Sequence, residues 1–255
     1  MLNARSLMDA IHPGGRKAHI PAGTRVYAIG DVHGCADLLD RLLDFIDVDS
    51  ADLAPGARTI ITLGDYVDRG PDSPGVLDRL IARQKTDPSL ICLKGNHEDE
   101  LLGFLADPDE HVHWLDWGGE ETLSNYGVRV SAAREPRDLA RELGAVLPEA
   151  HRQFLHGLSV RKVIGDYLFV HAGIKPGVPL DEQTERDQMW VRGEFHSAPT
   201  DQRPDKIVIH GHQSAKKVVD KGWRICVDTG AVWNGVLTAI VLEGNKKRFL
   251  QASAD

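Results

Sequence analysis

A chain of 255 residues with 42% hydrophobic and 27% charged side chains holds enough apolar material for one large domain or two small ones. Its net charge of -8 argues against a nucleic-acid partner, which normally meets a basic face. Three cysteines (Cys35, Cys92 and Cys226) without C-x-x-C spacing argue against a disulfide framework or a thiolate zinc site, and no leader pattern or 18-residue apolar run is present, so a cytoplasmic protein with no membrane span is expected.

Residues 1–24 read as an arm, because Pro13, Gly14, Gly15, Pro21 and Gly23 break any periodicity. Residues 26–29 read as a short strand. Residues 36–47 read as a helix, with Leu38, Leu39, Leu42, Leu43 and Ile46 on one face. Strands are expected at 60–63 and 90–93, with a helix over 76–83 between them and another opening at 98–105. Residues 106–158 lose this regularity. "DEHVHWLDWGGEETLSNYG" has no clean period, and "PRDLARELGAVLPEAHRQFLHGL" reads as two short helices, the second opening at Pro148. This stretch is expected to be a helical insertion over the sheet. Strands return at 167–170, 206–209, 224–227 and 237–242, and "NKKR" beyond them reads as a solvated strand end. With no repeat and no linker, residues 25–255 are expected to form a single α/β domain.

Five short motifs share one placement, each directly after an apolar strand-like run: "GDVHG" (30–34), "GDYVDRG" (64–70), "GNHE" (95–98), "HAG" (171–173) and "HGH" (210–212). Ligands of open α/β sheets bind outside the carboxyl ends of the strands, so strands sharing a sheet would bring these motifs together. The donors on offer are Asp31, His33, Asp65, Asn96, His171 and one or both of His210 and His212. This oxygen and nitrogen set suits manganese, iron or zinc. It also exceeds the three or four ligands of a single zinc site, which favours two ions sharing a carboxylate. Two divalent cations against ionised Asp31 and Asp65 leave a residual charge that matches a phosphate dianion. A lone Gly-Asp turn or a lone strand-end histidine would be ordinary; five in order are not.

These motifs, in this order, resemble those of the metal-dependent phosphoprotein phosphatases, and their spacing is similar to that of the compact bacterial and phage lambda-type members. The resemblance covers residue 26 to the "DTGAVWNGVLTAI" segment, leaving the arm and the 106–158 insert poorly matched. It implies a calcineurin-like metallophosphoesterase fold, a central β-sandwich flanked by helices, with two divalent metal ions at its edge (manganese first, iron or zinc as alternatives). Asp31 and His33 would bind the first ion, Asp65 would bridge, and Asn96, His171 and His212 would bind the second, with His210 a neighbour. Arg69 and the later Arg192 would clamp the phosphate. A hydroxide bridging the ions would attack phosphorus, with His97 as general acid oriented by Asp68.

The reading the motifs favour is a phosphomonoesterase acting on phosphoserine and phosphothreonine in a protein or peptide, with small phosphomonoesters possible as further substrates. The intact "VDRG" and "GNHE" support it. The nearest alternative is a symmetrical diadenosine tetraphosphate hydrolase, a related family similar at "GDVHG" and "GNH" that tends to lack the aspartate before the arginine and to continue with Asp after "GNH". An alternative of another class is a non-catalytic phosphate-binding module, which would have lost a ligand or the acid. Substrate choice is expected to lie in the insert, where Trp114, Trp117 and Tyr126 either line the cleft or pack the insert onto the core.

Overall fold

The strand β2 (Arg25–Ile29) alternates strictly and is buried on both faces. Val26 and Ala28 face one apolar cluster, Tyr27 and Ile29 another. Such a strand lies in the interior of a layered structure. The computed structural model, which describes residues 8–9 and 17–254, shows two mixed sheets packed face to face with helices outside.

The first half supplies β3 (Arg58–Thr62) and β4 (Leu90–Cys92), both parallel to β2. The helices α1 (Ala36–Asp49) and α2 (Ser73–Thr86) are the crossovers. α2 is capped by Asp72, whose side chain accepts the Gly75 N–H at 2.8 Å, with Pro74 in the first turn. The expected 76–83 helix is therefore longer at both ends. α3 (Asn96–Ala106) begins two residues before the expected 98–105. The final strands β10 (Val236–Glu243) and β11 (Lys246–Ser253) form a hairpin whose first strand runs antiparallel to β2. Met8–Asp9, named β1, pairs with β11 at the sheet edge. The rest of the expected arm before Lys17 lies outside the described residues.

Residues 106–158 form a 3-10 turn (Val112–Trp117) and the helices α4 (Gly119–Asn125), α5 (Pro136–Val146) and α6 (Glu149–His156). Leu139, Leu143, Phe154 and Leu155 pack with the apolar faces of α1, α2 and α3, so the insert thickens the helical layer. The second sheet takes the order β5-β6-β7-β9-β8, from β5 (Arg161–Ile164), β6 (Tyr167–Val170), β7 (Ile207–His210), β8 (Val219–Asp220) and β9 (Arg224–Cys226). β6, β7 and β9 are parallel. Between the sheets Val26, Ala28, Ile61 and Leu63 meet Phe169, Ile209 and Ile225. The outer face of the second sheet is covered by α7 (Glu185–Trp190) and α8 (Gly193–His196), through Val191 and Phe195. The four-residue α9 (Ala231–Asn234) precedes β10.

Several elements have weak signals in the sequence. β5 has two exposed residues, and β8 has only two residues in all. β11 opens on the "NKKR" expected to be a solvated strand end. It is a strand, but Lys247 is buried against Asp220, and Arg248 donates to Asp49 at 2.6 Å. Long stems lying on apolar surface hide a strand behind charged letters. Among the described residues no helix is long and apolar enough to cross a membrane.

Candidate active site

Two sets of three parallel strands, one from each sheet, end at one edge of the sandwich. β2 runs into Asp31 and His33, β3 into Asp65, and β4 into Asn96 and His97 at the start of α3. β6 runs into His171, β7 into His210 and His212, and β9 into Asp228. Asp31, His33, Asp65, Asn96, His97 and His171 are all buried. The backbone there is strained. Among the described residues the non-glycine positions with left-handed φ are His33 (43°), Asp65 (53°), Asp68 (72°), Arg69 (67°) and His212 (66°). Each such conformation costs on the order of 1–3 kcal/mol and persists only where the surroundings enforce it.

Asp65 lies at the centre. Its Oδ1 is 3.3 Å from His171 Nε2 and accepts the His97 backbone N–H at 3.2 Å. Its Oδ2 is 3.6 Å from His33 Nε2 and 3.9 Å from His97 Nε2. The side chains therefore fall into two groups able to hold an ion, His33–Asp65–His97 and Asp65–His171–His212, with Asp65 common to both. Asn96 joins the second group: its Oδ1 is 2.9 Å from His171 Nε2 and 2.8 Å from His212 Nδ1. Asp31 meets the second group through the His212 backbone N–H, which donates to Oδ2 at 2.9 Å. His33 and His171 direct Nδ1 to the carbonyls of Val67 (2.8 Å) and Leu63 (2.9 Å). That pairing leaves both Nε2 atoms as the available donors.

The charges ask for a cation. Asp31 Oδ1 is buried with no hydrogen-bond partner. Burial, with Asp228 and Asp65 nearby, holds the Asp31 carboxyl well above the usual carboxylate range. Burial and the Asp65 charge push Glu98 up to about 7, and burial pushes Asp228 up to about 6. Buried acids crowded together are stable only when protonated or neutralised by positive charge. Oxygen and nitrogen donors around two adjoining positions fit a pair of divalent ions.

His97 and Asp68 form a buried pair, Nδ1 to Oδ2 at 2.6 Å. Burial works against the imidazolium, but Asp65 and Asp68 outweigh it and raise the His97 pKa above its ordinary value. Asp68 itself is fully buried and is held from the insert. Trp114 Nε1–H donates to Oδ2 at 2.8 Å, and Thr122 Oγ1 donates to Oδ1 at 2.6 Å. Arg69 Nε donates to the Trp117 carbonyl at 3.2 Å, and its Nη1 lies 2.7 Å from His33 Nε2. Arg192 Nε donates to His212 Nε2 at 3.1 Å. Arg69, Arg192, Trp117 and Trp233 line one cavity of about 770 Å³ above these strand ends.

Of the aromatic residues singled out in the insert, Trp117 lines the cleft. Trp114 is buried beneath it, and Tyr126 turns away to hydrogen-bond His151 at 2.7 Å. His210 packs beside Phe195 and His196 rather than against the donor groups. Sequence reasoning missed Glu98, Asp228, Thr122 and Trp233. Glu98 accepts backbone N–H groups of Gly95 (2.9 Å), Asp65 (2.8 Å) and Tyr66 (2.7 Å), tying the second motif to the third. Its sequence signal is a glutamate three residues after Gly95 at a helix start, the spacing of a capping box.

Comparison with known proteins agrees with this layout. The chain is 28% identical over 264 residues to a protein of Acidovorax sp. (strain JS42) named bis(5'-nucleosyl)-tetraphosphatase, symmetrical, covering 84% of this chain and 91% of that one. A structure of a putative diadenosine tetraphosphatase superposes with a TM-score of 0.63 at 23% identity, covering 93% of this chain and 100% of that chain. The cold-active protein-tyrosine phosphatase of a psychrophilic Shewanella gives 0.60 at 21%, covering 91% and 79%; at such identities both structures speak to the fold alone. The family model for calcineurin-like phosphoesterases matches residues 24–230, from the start of β2 past the last motif-bearing strand end. Its span takes in every strand end described above, and the chain belongs to the calcineurin-like phosphoesterases.

Proposed function

We propose that this chain hydrolyses dinucleoside tetraphosphates symmetrically, adding water across the central phosphoanhydride to release two nucleoside diphosphates. The observation that carries this reading is the cleft. Two arginines and two indoles line the same cavity, Trp117 39% and Trp233 66% exposed. Guanidinium groups suit several phosphate oxygens at once. Stacking on an exposed ring contributes about 1–3 kcal/mol per base. A phosphoserine side chain presents one phosphate and no base. The name of the Acidovorax relative supports the same choice over the phosphoprotein preferred from the motifs.

In this account His33 and Asp65, with Asp31 from the neighbouring strand end, would hold one divalent ion, and Asp65, Asn96, His171 and His212 would hold the other, His97 being left beside the first as the acid although it also lies within reach of that position. Such ions supply Lewis acidity, neutralising phosphate charge and lowering the pKa of a water. Arg69 and Arg192 orient the phosphate. His97, held by Asp68, protonates the leaving oxygen. Glu98 fixes the loop that carries Asp65.

A second reading, a phosphoprotein phosphatase, draws on the buried His97–Asp68 pair. An alkoxide leaving group is far more basic than a nucleoside diphosphate, whose terminal phosphate has a pKa of about 6. A strong general acid therefore matters most for a serine or threonine ester.

The test is kinetic. With Mn²⁺-reloaded protein, Trp117→Ala and Trp233→Ala should each raise KM for diadenosine tetraphosphate about 5- to 100-fold, by loss of stacking. Neither should change KM for p-nitrophenyl phosphate. Equal effects on both substrates would remove the nucleotide reading.

A further inference from the structure

A third cluster of donors lies outside the cleft chemistry. Glu100 is on α3, one turn after Asn96, and is buried (4% exposed). Its Oε2 lies 2.8 Å from His111 Nδ1 and 2.9 Å from His113 Nε2. The two histidine side chains are 31% and 41% exposed, so the cluster has a closed floor and an open side. The three donor atoms lie within 4.8 Å of one another.

We propose that Glu100, His111 and His113 form a binding site for one Zn²⁺ ion, separate from the pair at the strand ends. Two imidazoles and one carboxylate, with a fourth position left to water, are a donor set that zinc takes readily. Bond lengths of about 2.1 Å place tetrahedral ligand atoms about 3.4 Å apart. The histidines need to retreat from Glu100 by about half an ångström. They can do so, because both rings are part-exposed and lie at the start of the 3-10 turn. Gly103 is part of the site: a Cβ there would lie 2.5 Å from the His111 ring. A helix-interior glycine costs roughly 0.5–1 kcal/mol relative to alanine, and here it makes room for that imidazole.

The site has a route to the cleft. The His113 ring centroid is 4.5 Å from that of Trp117, and Trp114 follows His113 directly and donates to Asp68. An ion at this position fastens the 3-10 turn to α3, the helix that begins with Asn96 and His97. Its occupancy therefore reports on, and steadies, the wall that carries Trp117.

The protein is stripped of metal, reloaded with Zn²⁺, desalted and assayed for zinc per chain by mass spectrometry. The native chain should retain one more zinc than His111→Gln/His113→Gln. Zn²⁺ titrated into Mn²⁺-loaded native protein should also shift tryptophan emission with an end point one equivalent beyond that of the double variant, whose remaining response is exchange at the strand-end pair. Glu100→Gln, which keeps the shape of the side chain, serves if the double variant fails to fold, and should lose the same ion and the same signal. Equal zinc content and an unchanged emission response in native and variant chains would overturn the proposal.

Discussion

Trp114→Phe isolates one interaction in the grip on Asp68. The carboxylate is fully buried and accepts from Trp114, Thr122 and His97 at 2.8, 2.6 and 2.6 Å. Phenylalanine keeps a ring against Phe104, whose centroid is 4.9 Å from that of Trp114, but loses the N–H. A hydrogen bond to a charged group contributes about 1.5–3 kcal/mol, and a neutral one about 0.5–1.5. Trp114→Phe should therefore destabilise the metal-free protein by about 2–3 kcal/mol in urea titrations at pH 7. In an Asp68→Asn background the same change should cost about 1 kcal/mol less, because the acceptor is then neutral. The coupling should also appear in kcat, through the loosened His97–Asp68 pair, while bound metal stays constant. A cost below about 0.5 kcal/mol, or the same cost in both backgrounds, would show that the indole only fills space and that the grip is wrongly assigned.

Asp65→Asn weakens the residue common to both donor groups and should abolish stoichiometric metal retention together with turnover; an active, metal-replete variant would contradict its bridging place. Gly118 adopts φ +110°, and a Cβ there would lie 2.5 Å from Arg69 Cγ, so Gly118→Ala should cost about 1–3 kcal/mol and raise KM by displacing the guanidinium, as steady-state kinetics and denaturation together would show. His97→Gln should lower kcat about 10²- to 10⁴-fold on a phosphothreonine peptide and much less on a substrate with a phosphate leaving group, with metal content unchanged. Asp87 offers a pH test remote from the cleft. Burial opposes its ionisation, but hydrogen bonds from Ser89 and Arg83 outweigh it and hold its pKa below the ordinary value. The stabilisation is thus complete above the unfolded-chain pKa of about 3.9 and lost as pH falls through the folded value. The stability gap between native protein and Asp87→Asn should be flat from neutral pH to about 5 and close below about 4.

The strand-end placement of the motif side chains was legible because each motif is local: apolar run, turn, polar residue. The sequence alone places Asp31, Asp65, Asn96, His171 and His212 at one edge, since parallel strands carry their carboxyl ends to the same side. The restraint on Asp68 was not legible. Its donors Trp114 and Thr122 lie 46 and 54 residues away, in a stretch without periodicity, and nothing local marks them as its partners. The choice of Trp117 over Tyr126 for the cleft turned on which side of a short helix each ring takes. Trp233 was overlooked because its four-residue helix lacks a periodic signal. Substrate preference was the least legible: the motifs, with Arg69 and Arg192, describe a phosphate site, whereas Trp117 and Trp233, which line the same cavity, come from segments without a local signal.

The most direct test is product analysis. Metal-stripped protein reloaded with Mn²⁺ is offered diadenosine tetraphosphate and a phosphothreonine peptide in parallel, and nucleotides and phosphate are quantified. The account predicts metal-restored conversion of the dinucleotide to ADP alone, with the peptide turned over far more slowly. Preferential phosphate release from the peptide, with the dinucleotide intact, would contradict it and restore the phosphoprotein reading.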